Sequence, residues 1–379
     1  MPEQLNVPQG CFSLIRLPER RNELLRAWDA ADEYLLNTLA EKPLSSSAKI
    51  LLINDSFGAL AVALAAFRPQ AWSDSYLSQQ ATRLNLRANG LDENAVELID
   101  SLQTPKAAFD VVLIKVPKTL AFLEDLLLRL RPQLTPTTQI IVAGMLKNLP
   151  ASVWSLLERL IGVTSSSLAK KKARLIWVTL NPALTVADNP YPTRYLLENT
   201  DYQIVNHANV FSRTQLDIGT RFFLAHLPSI STAKTIVDLG CGNGVVGLMA
   251  AARNPDARLV FVDESFMAVA AARDNFNAAF AGKRPAVFSV GDGLQDFAAE
   301  SVDLILCNPP FHQQQTIGDQ LALSMFRQAH KTLTANGELW VIGNRHLGYQ
   351  ASLQNIFGNS QLVASNQKFV IIKAVRTSK

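Results

Sequence analysis

Asn308-Pro309-Pro310-Phe311 combines residue types suited to presenting an amine for alkylation. An exocyclic amine on an aromatic ring is a poor nucleophile, because its lone pair is delocalised into the ring. Two acceptors gripping its hydrogens favour a geometry that points the lone pair at an electrophile. The Asn308 side-chain oxygen and a nearby main-chain carbonyl are two such acceptors, and Pro309 and Pro310 keep the backbone around them extended and rigid. Phe311 adds a flat apolar face on which a target ring can stack, worth about 1–3 kcal/mol per base. Positioning and electrostatics carry such a reaction, without a metal or a strong base. His312 beside it reads as a hydrogen-bonding surface residue, and 344–346 (Asn-Arg-His) as a possible substrate contact.

An electrophile holder precedes this motif. Residues 236–239 form a short apolar run, Gly240, Gly242 and Gly244 alternate after it, and 245–252 has helical character. Strand, glycine turn and helix open a βαβ unit whose turn lets a ligand approach bare backbone. The spacing G-x-G-x-G differs from the dinucleotide fingerprint, although Gly247 blurs the distinction. Asp238 before the turn would repel a pyrophosphate but attract the cationic amino-acid end of S-adenosylmethionine. Asp263 closes the next apolar run, where a carboxylate can take both ribose hydroxyls. Asp292, in a Gly-Asp-Gly turn after the following run, can accept from an adenine amino group or simply form the turn. With Cys241 and Asn308, these residues make up the expected cofactor set.

The elements needed to position these groups are legible in the pattern. Apolar runs at 49–53, 109–117, 139–143 and 173–180 read as strands, and 28–36, 59–67, 78–89 and 120–130 as helices. Strand and helix alternate, as in a layered α/β domain. The second half repeats the plan. Asp29 and Asp217 open comparable helices, Leu52 falls under Asp238, Gly58 under Gly244, and Asp110 under Asp303, with offsets of about 186 to 193 in a tandem repeat. Asn54 and Ser56 stand where Gly240 and Gly242 stand. Two tandem Rossmann-like domains follow: 1–180, a degenerate copy without the cofactor residues; a proline-containing linker at 181–193; and a catalytic domain at 194–379. Residues 207–220 are either a lid over the cofactor or a hairpin and helix cap.

Composition narrows the class. Apolar content of 48% with 18% charged residues describes a globular protein, and no apolar run reaches the roughly 18–20 residues of a membrane span. No secretory signal is visible, and the three cysteines lack metal spacing, so a cytoplasmic protein without metal is expected. Charge is unevenly spread. Residues 1–100 carry 9 Lys/Arg against 13 Asp/Glu, a net of −4, whereas residues 101–174 carry 11 against 4, a net of +7. Such a tract is either a nucleic-acid footprint or a solvated face. Lys115 and Lys118, which fall under Asn308 and Phe311 at an offset of 193, join Lys170, Lys171, Lys172 and Arg174 as candidate RNA contacts.

The segment from Asp238 to Gly244, with Asp263 and Asn308-Pro309-Pro310-Phe311, resembles the ribosomal RNA guanine-N2 methyltransferases. Segments 28–32, 210–212, 216–219 and 308–313 resemble the large-subunit branch of that family, over essentially the whole chain. The resemblance implies a degenerate first domain and methyl transfer from S-adenosylmethionine to the exocyclic N2 of a guanine in 23S ribosomal RNA. The alternatives are the small-subunit rRNA enzyme, a protein glutamine-N5 methyltransferase, which shares Asn-Pro-Pro-aromatic, and a non-catalytic RNA chaperone. The sequence leaves the oligomeric state open.

Overall fold

The computed structural model describes residues 4–19, 25–230, 232–309 and 315–377, with side chains from residue 320 in the last segment. The chain forms two compact units, Met1–Tyr191 and Pro192–Lys379. The division falls near the end of the expected linker, and the reason is local. The Arg131 guanidinium donates to the carbonyls of Asn181 and Leu184 at 2.9 and 3.0 Å. Asn189 Nδ2 reaches Asp125 at 2.7 Å, and the Tyr191 hydroxyl reaches Glu124 at 2.8 Å. The segment before Pro192 is therefore a strap on the first unit rather than a free tether.

Each unit is built on a seven-stranded sheet. In the first, the spatial order is Glu97–Asp100, Gln70–Ser73, Ile50–Ile53, Val111–Lys115, Gln139–Met145, Ala173–Val178 and Thr164–Ser166. In the second it is Ala286–Val290, Arg258–Asp263, Thr235–Leu239, Val302–Cys307, Leu333–Asn344, Phe369–Val375 and Gln361–Ser365. Counted along the chain, both orders are 3-2-1-4-5-7-6, with the seventh strand antiparallel to its neighbours. The central strands are covered on both faces, which is why Ile50–Ile53 and Val111–Lys115 are buried throughout and why 50–53 and 111–114 read as unbroken apolar runs.

Register fixes what meets at the sheet edge. Leu239 pairs with Val262 and with Cys307, so Gly240, Asp263 and Asn308 leave the second sheet side by side. Ile53 pairs with Trp72 and with Ile114, so Asn54, Ser73 and Lys115 occupy the matching places in the first. Both sets lie at the C-terminal edge where strand order reverses, the place at which doubly wound sheets bind ligands.

The helix after the glycine turn lies close to its sheet. Gly244 has φ 76°, and a Cβ on it would stand 2.7 Å from Ala272; one on Gly247 would stand 2.3 Å from the Phe261 ring. Phe261 stacks on Phe288 and meets Phe276 edge-on, with centroids 5.0 and 5.3 Å apart, an aromatic centre under the turn. Residues 207–217 form turns, and a hairpin comes just before them. Thr193–Leu196 pairs with Gln203–Asn206, and Asp217 caps the helix Ile218–Ala225. The hairpin is tied to the turn by an amide ladder. Asn243 donates to Asn206 at 2.9 Å, and Asn275 donates to the carbonyls of Asn243 and Val205 at 2.9 and 3.0 Å.

Candidate active site

The turn is held in shape from three sides. The amides of Gly240 and Cys241 donate to the Val262 carbonyl at 2.8 and 3.0 Å, tying the turn to the neighbouring strand. Asp263 receives the Gly242 amide at 2.9 Å and the Ser265 amide at 3.0 Å, so its carboxylate stands fixed at the rim. A Cβ on Gly242 would meet nothing within 4 Å, which leaves room over the turn for a ligand.

Asp238 lies under the turn, only 2% exposed, with one oxygen accepting from the Gly247 amide at 2.7 Å. It is thus a brace for the helix as well as a candidate partner for a cation. Burial pushes its pKa up to about 8, with the nearby Asp263 charge adding and the Gly247 amide opposing. Burial likewise pushes the Cys241 thiol well up, so Cys241 fills space and is no nucleophile at neutral pH. Asp292 follows the strand Ala286–Val290 at the same edge, its carboxyl raised by partial burial and by Asp296.

Asn308 is the first residue past Val302–Cys307. Its Nδ2 donates to Thr220 Oγ1 at 3.1 Å, while Thr220 donates through its amide and hydroxyl to Asp217 at 2.9 and 3.3 Å. This relay orients the amide and leaves Asn308 Oδ1 enclosed, with no partner among the described residues. A buried acceptor in that condition is costly unless something is meant to satisfy it. Asn344, at the end of the adjacent strand, carries a second unsatisfied enclosed oxygen. Arg345 donates to the Asn366 carbonyl at 2.8 Å, in the turn between Gln361–Ser365 and Phe369–Val375. Pro309 is buried; Pro310, Phe311 and His312 lie outside the described residues.

The arrangement suits a ligand with an adenosine-like end at Asp263 and Asp292 and a reactive centre near Asn308. Comparison with known proteins gives the family. The RLMG N-terminal domain family matches residues 2–182, and the methyltransferase small domain family matches residues 201–373. The ribosomal RNA large subunit methyltransferase G of Pseudomonas aeruginosa is 52% identical over 97% of this chain and 98% of its own. That of Streptomyces avermitilis is 48% identical over 99% and 100%. The chain belongs to the ribosomal RNA large subunit methyltransferase G family. A solved 16S rRNA N2 methyltransferase of T. thermophilus, in complex with AdoMet and guanosine, shares the fold. Its TM-score is 0.76 at 18% identity, over 99% of this chain and 97% of that one.

Within this family member, the expected RNA-contact set divides. Lys115 requires correction: it is 9% exposed, and its ammonium stands 2.8 Å from Asp29 and 2.6 Å from Asp32. Its charge is spent inside the domain, out of reach of a phosphate. Arg174 is half-buried, with its Nε enclosed and without a partner. Lys118, Lys170, Lys171 and Lys172 are exposed. Sequence reasoning missed Thr220 as the anchor of Asn308. Its available signal was Asp217, an N-cap whose third following residue faces the sheet edge.

Proposed function

We propose that this protein transfers the methyl group of S-adenosylmethionine to the exocyclic N2 of a guanine in 23S ribosomal RNA, with Asn308 Oδ1 gripping the amine. Family membership supports the large-subunit rRNA substrate and the methyl donor. The observation that carries the residue-level reading is the Asn308 oxygen, which has no partner among the described residues while Thr220 and Asp217 hold the amide nitrogen at the end of Val302–Cys307.

S-adenosylmethionine, when bound, supplies a sulfonium methyl that a correctly aimed lone pair can attack. This chain's residues do the placing. Asp263 would hold the ribose hydroxyls, Asp292 the adenine amino group, and an ionised Asp238 the cationic amino-acid end. Asn308 Oδ1 and a neighbouring main-chain carbonyl accept from the two N2 hydrogens, an interaction that strengthens as the nitrogen gains positive charge. Pro309 and Pro310 keep the two acceptors from drifting, and Phe311 stacks the base. The guanine must leave its stack to reach this edge, so it lies in a loop or bulge or is flipped from a helix. No helix among the described residues is long and apolar enough to cross a membrane, and the reading is of a cytoplasmic enzyme whose first domain binds RNA and no cofactor.

Nucleoside mass spectrometry of 23S rRNA from cells lacking the protein tests the reading. One N2-methylguanosine should disappear and return with the wild-type gene but not with Asn308→Ala. An unchanged methylguanosine inventory would overturn it.

A further inference from the structure

Among the described residues, the sharpest backbone anomaly outside the active site is the turn between Thr164–Ser166 and Ala173–Val178. Lys170 and Ala173 exchange both amide-to-carbonyl hydrogen bonds, at 2.9 and 2.8 Å, so Lys171 and Lys172 are the two central residues of a hairpin turn. Both have positive φ, 48° and 63°. A two-residue turn of this kind selects Asn-Gly, because both positions need positive φ, which glycine adopts freely, asparagine tolerates and lysine disfavours. Two adjacent lysines there are a local conflict that packing does not repay, since both are exposed. Strain kept at an exposed place points to something the residues do.

The surroundings indicate what. The Leu146 amide donates to the Lys172 carbonyl at 2.8 Å, which sets the exposed Lys147 beside the turn. Lys170 lies over the Tyr34 ring, its Nζ 4.7 Å from the centroid, and Lys171 reaches Glu33 at 2.8 Å while staying 77% exposed. Glu33 is also engaged by Trp28 Nε1 at 3.1 Å. Lys147 and Lys172 make no ion pair among the described residues. A cavity of about 470 Å³ opens next to the turn, lined in part by Tyr34, Asn37, Lys170 and Lys171. Positive charge is thus raised on a hairpin tip beside a concavity whose lining also includes Glu33 and Glu41.

We infer that the Lys170–Lys172 turn, with Lys147, is a phosphate-backbone contact for ribosomal RNA, held in a strained conformation so that its ammonium groups project together. The contact reads charge and not sequence. It rests on the reading of the protein as an rRNA enzyme, but its test measures binding and not turnover.

The test replaces the strained pair with the residues the turn prefers, Lys171→Asn with Lys172→Gly, in the full-length chain. Filter binding of protein-free 23S rRNA and 16S rRNA should weaken about tenfold for both. The slope of log affinity against log salt should flatten by roughly 1.4 to 1.8 units, for two lost phosphate contacts. The thermal midpoint should hold or rise, and S-adenosylmethionine affinity should not move. Lys171→Arg with Lys172→Arg, which keeps the charge, should retain RNA binding. An unaltered salt slope in the Asn-Gly variant overturns the contact, and a lowered midpoint overturns the strain argument. Loss of binding in the Arg pair overturns the role of charge. If Asn308→Ala still methylates rRNA while the salt slope flattens as expected, the catalytic reading fails and the RNA contact stands.

Discussion

At the edge of the second sheet Asn308 spends its amide nitrogen on Thr220 and keeps its oxygen unpaired; at the matching place in the first sheet stands Lys115, between Asp29 and Asp32. The helices behind them correspond as well. Asp217 and Asp29 are both N-caps, and Thr220 and Asp32 are the third residues of their helices. One pairing between strand end and helix start thus occurs twice, once as a neutral hydrogen bond and once as a buried ion pair. The other positions differ in the same sense. Asn54 replaces Gly240 and donates to the Lys115 carbonyl at 3.1 Å, covering a main-chain acceptor whose counterpart at Asn308 has no such donor among the described residues. Ser73 replaces Asp263, and fully buried Leu52 replaces Asp238. Even the brace is rebuilt: Ala61, the counterpart of Gly247, donates its amide to Asp55 at 2.9 Å. At Lys115 and Asn54 the first copy uses internally what the second holds open, and we propose that the first copy therefore takes no cofactor.

The largest effect expected from disturbing this contrast is at Asn308. Asn308→Ala should abolish methyl transfer in a single-turnover assay while S-adenosylmethionine affinity stays within a few-fold, because the lost interaction belongs to the amine and its transition state. Near-normal turnover would remove Asn308 from the mechanism. Thr220→Val should cost less, about 10- to 100-fold in rate, since it frees the amide to rotate without removing it.

The second expectation addresses the first copy. Titration calorimetry on the full-length chain should give one S-adenosylmethionine per chain, and Gly242→Val, which fills the space over the turn, should abolish the heat altogether. Residual saturable binding in that variant would place a working site in the first domain.

Breaking the ion pair should be felt as stability. Burial pushes Asp32 up to about 6, Lys115 opposes that rise, and Asp29 and Asp55 add to it. Lys115→Met would leave Asp32 buried without its counter-charge, at a cost of about 3–5 kcal/mol in urea unfolding. Lys115→Met combined with Asp32→Leu should recover most of that loss, because an apolar pair of similar volume has no charge to desolvate. Equal losses in the single and double variants would mean that Lys115 acts by shape and not by charge.

How much of this was legible beforehand depended on the kind of signal. The glycine turn, the strand before it and the duplicated plan were readable, because local sterics and continuous apolar runs determine them. The correspondence of Lys115 with Asn308 was also readable, from an offset of 193 that the strand register reproduces. The meaning of Lys115 was not. A charge tally counts a buried ammonium and an exposed one alike, and only the fold shows Asp29 and Asp32 closing on it. Thr220 escaped for the converse reason, since its partner lies 88 residues away and a threonine near a helix start has an ordinary local use. The strain at Lys171 and Lys172 leaves no trace in composition, because it belongs to the backbone.

The last expected effect concerns Asp238, which Leu52 replaces in the first copy. Burial raises the folded-state pKa of Asp238 from the ordinary 3.8 to about 8, so the folded chain holds a proton there that the unfolded chain releases. Between about pH 4 and pH 8 the folded state binds the extra proton, and its contribution to stability falls as pH rises, by up to about 1.4 kcal/mol per unit. Asp238→Asn keeps an oxygen for the Gly247 amide and removes the titration. Its unfolding free energy should therefore decline less than that of the wild type between about pH 5 and pH 8.5. A bound cation reverses the preference, since it favours the carboxylate and draws the proton off. Binding of S-adenosylmethionine to the wild type should then release a proton, seen as a binding heat that depends on the ionisation enthalpy of the buffer. The variant should release fewer. Because the ligand's own amino group titrates near pH 8, the difference between wild type and variant isolates Asp238. Identical proton release in the two would leave Asp238 as a brace for the helix and nothing more, and the choice between aspartate and leucine at this position would then be a matter of packing.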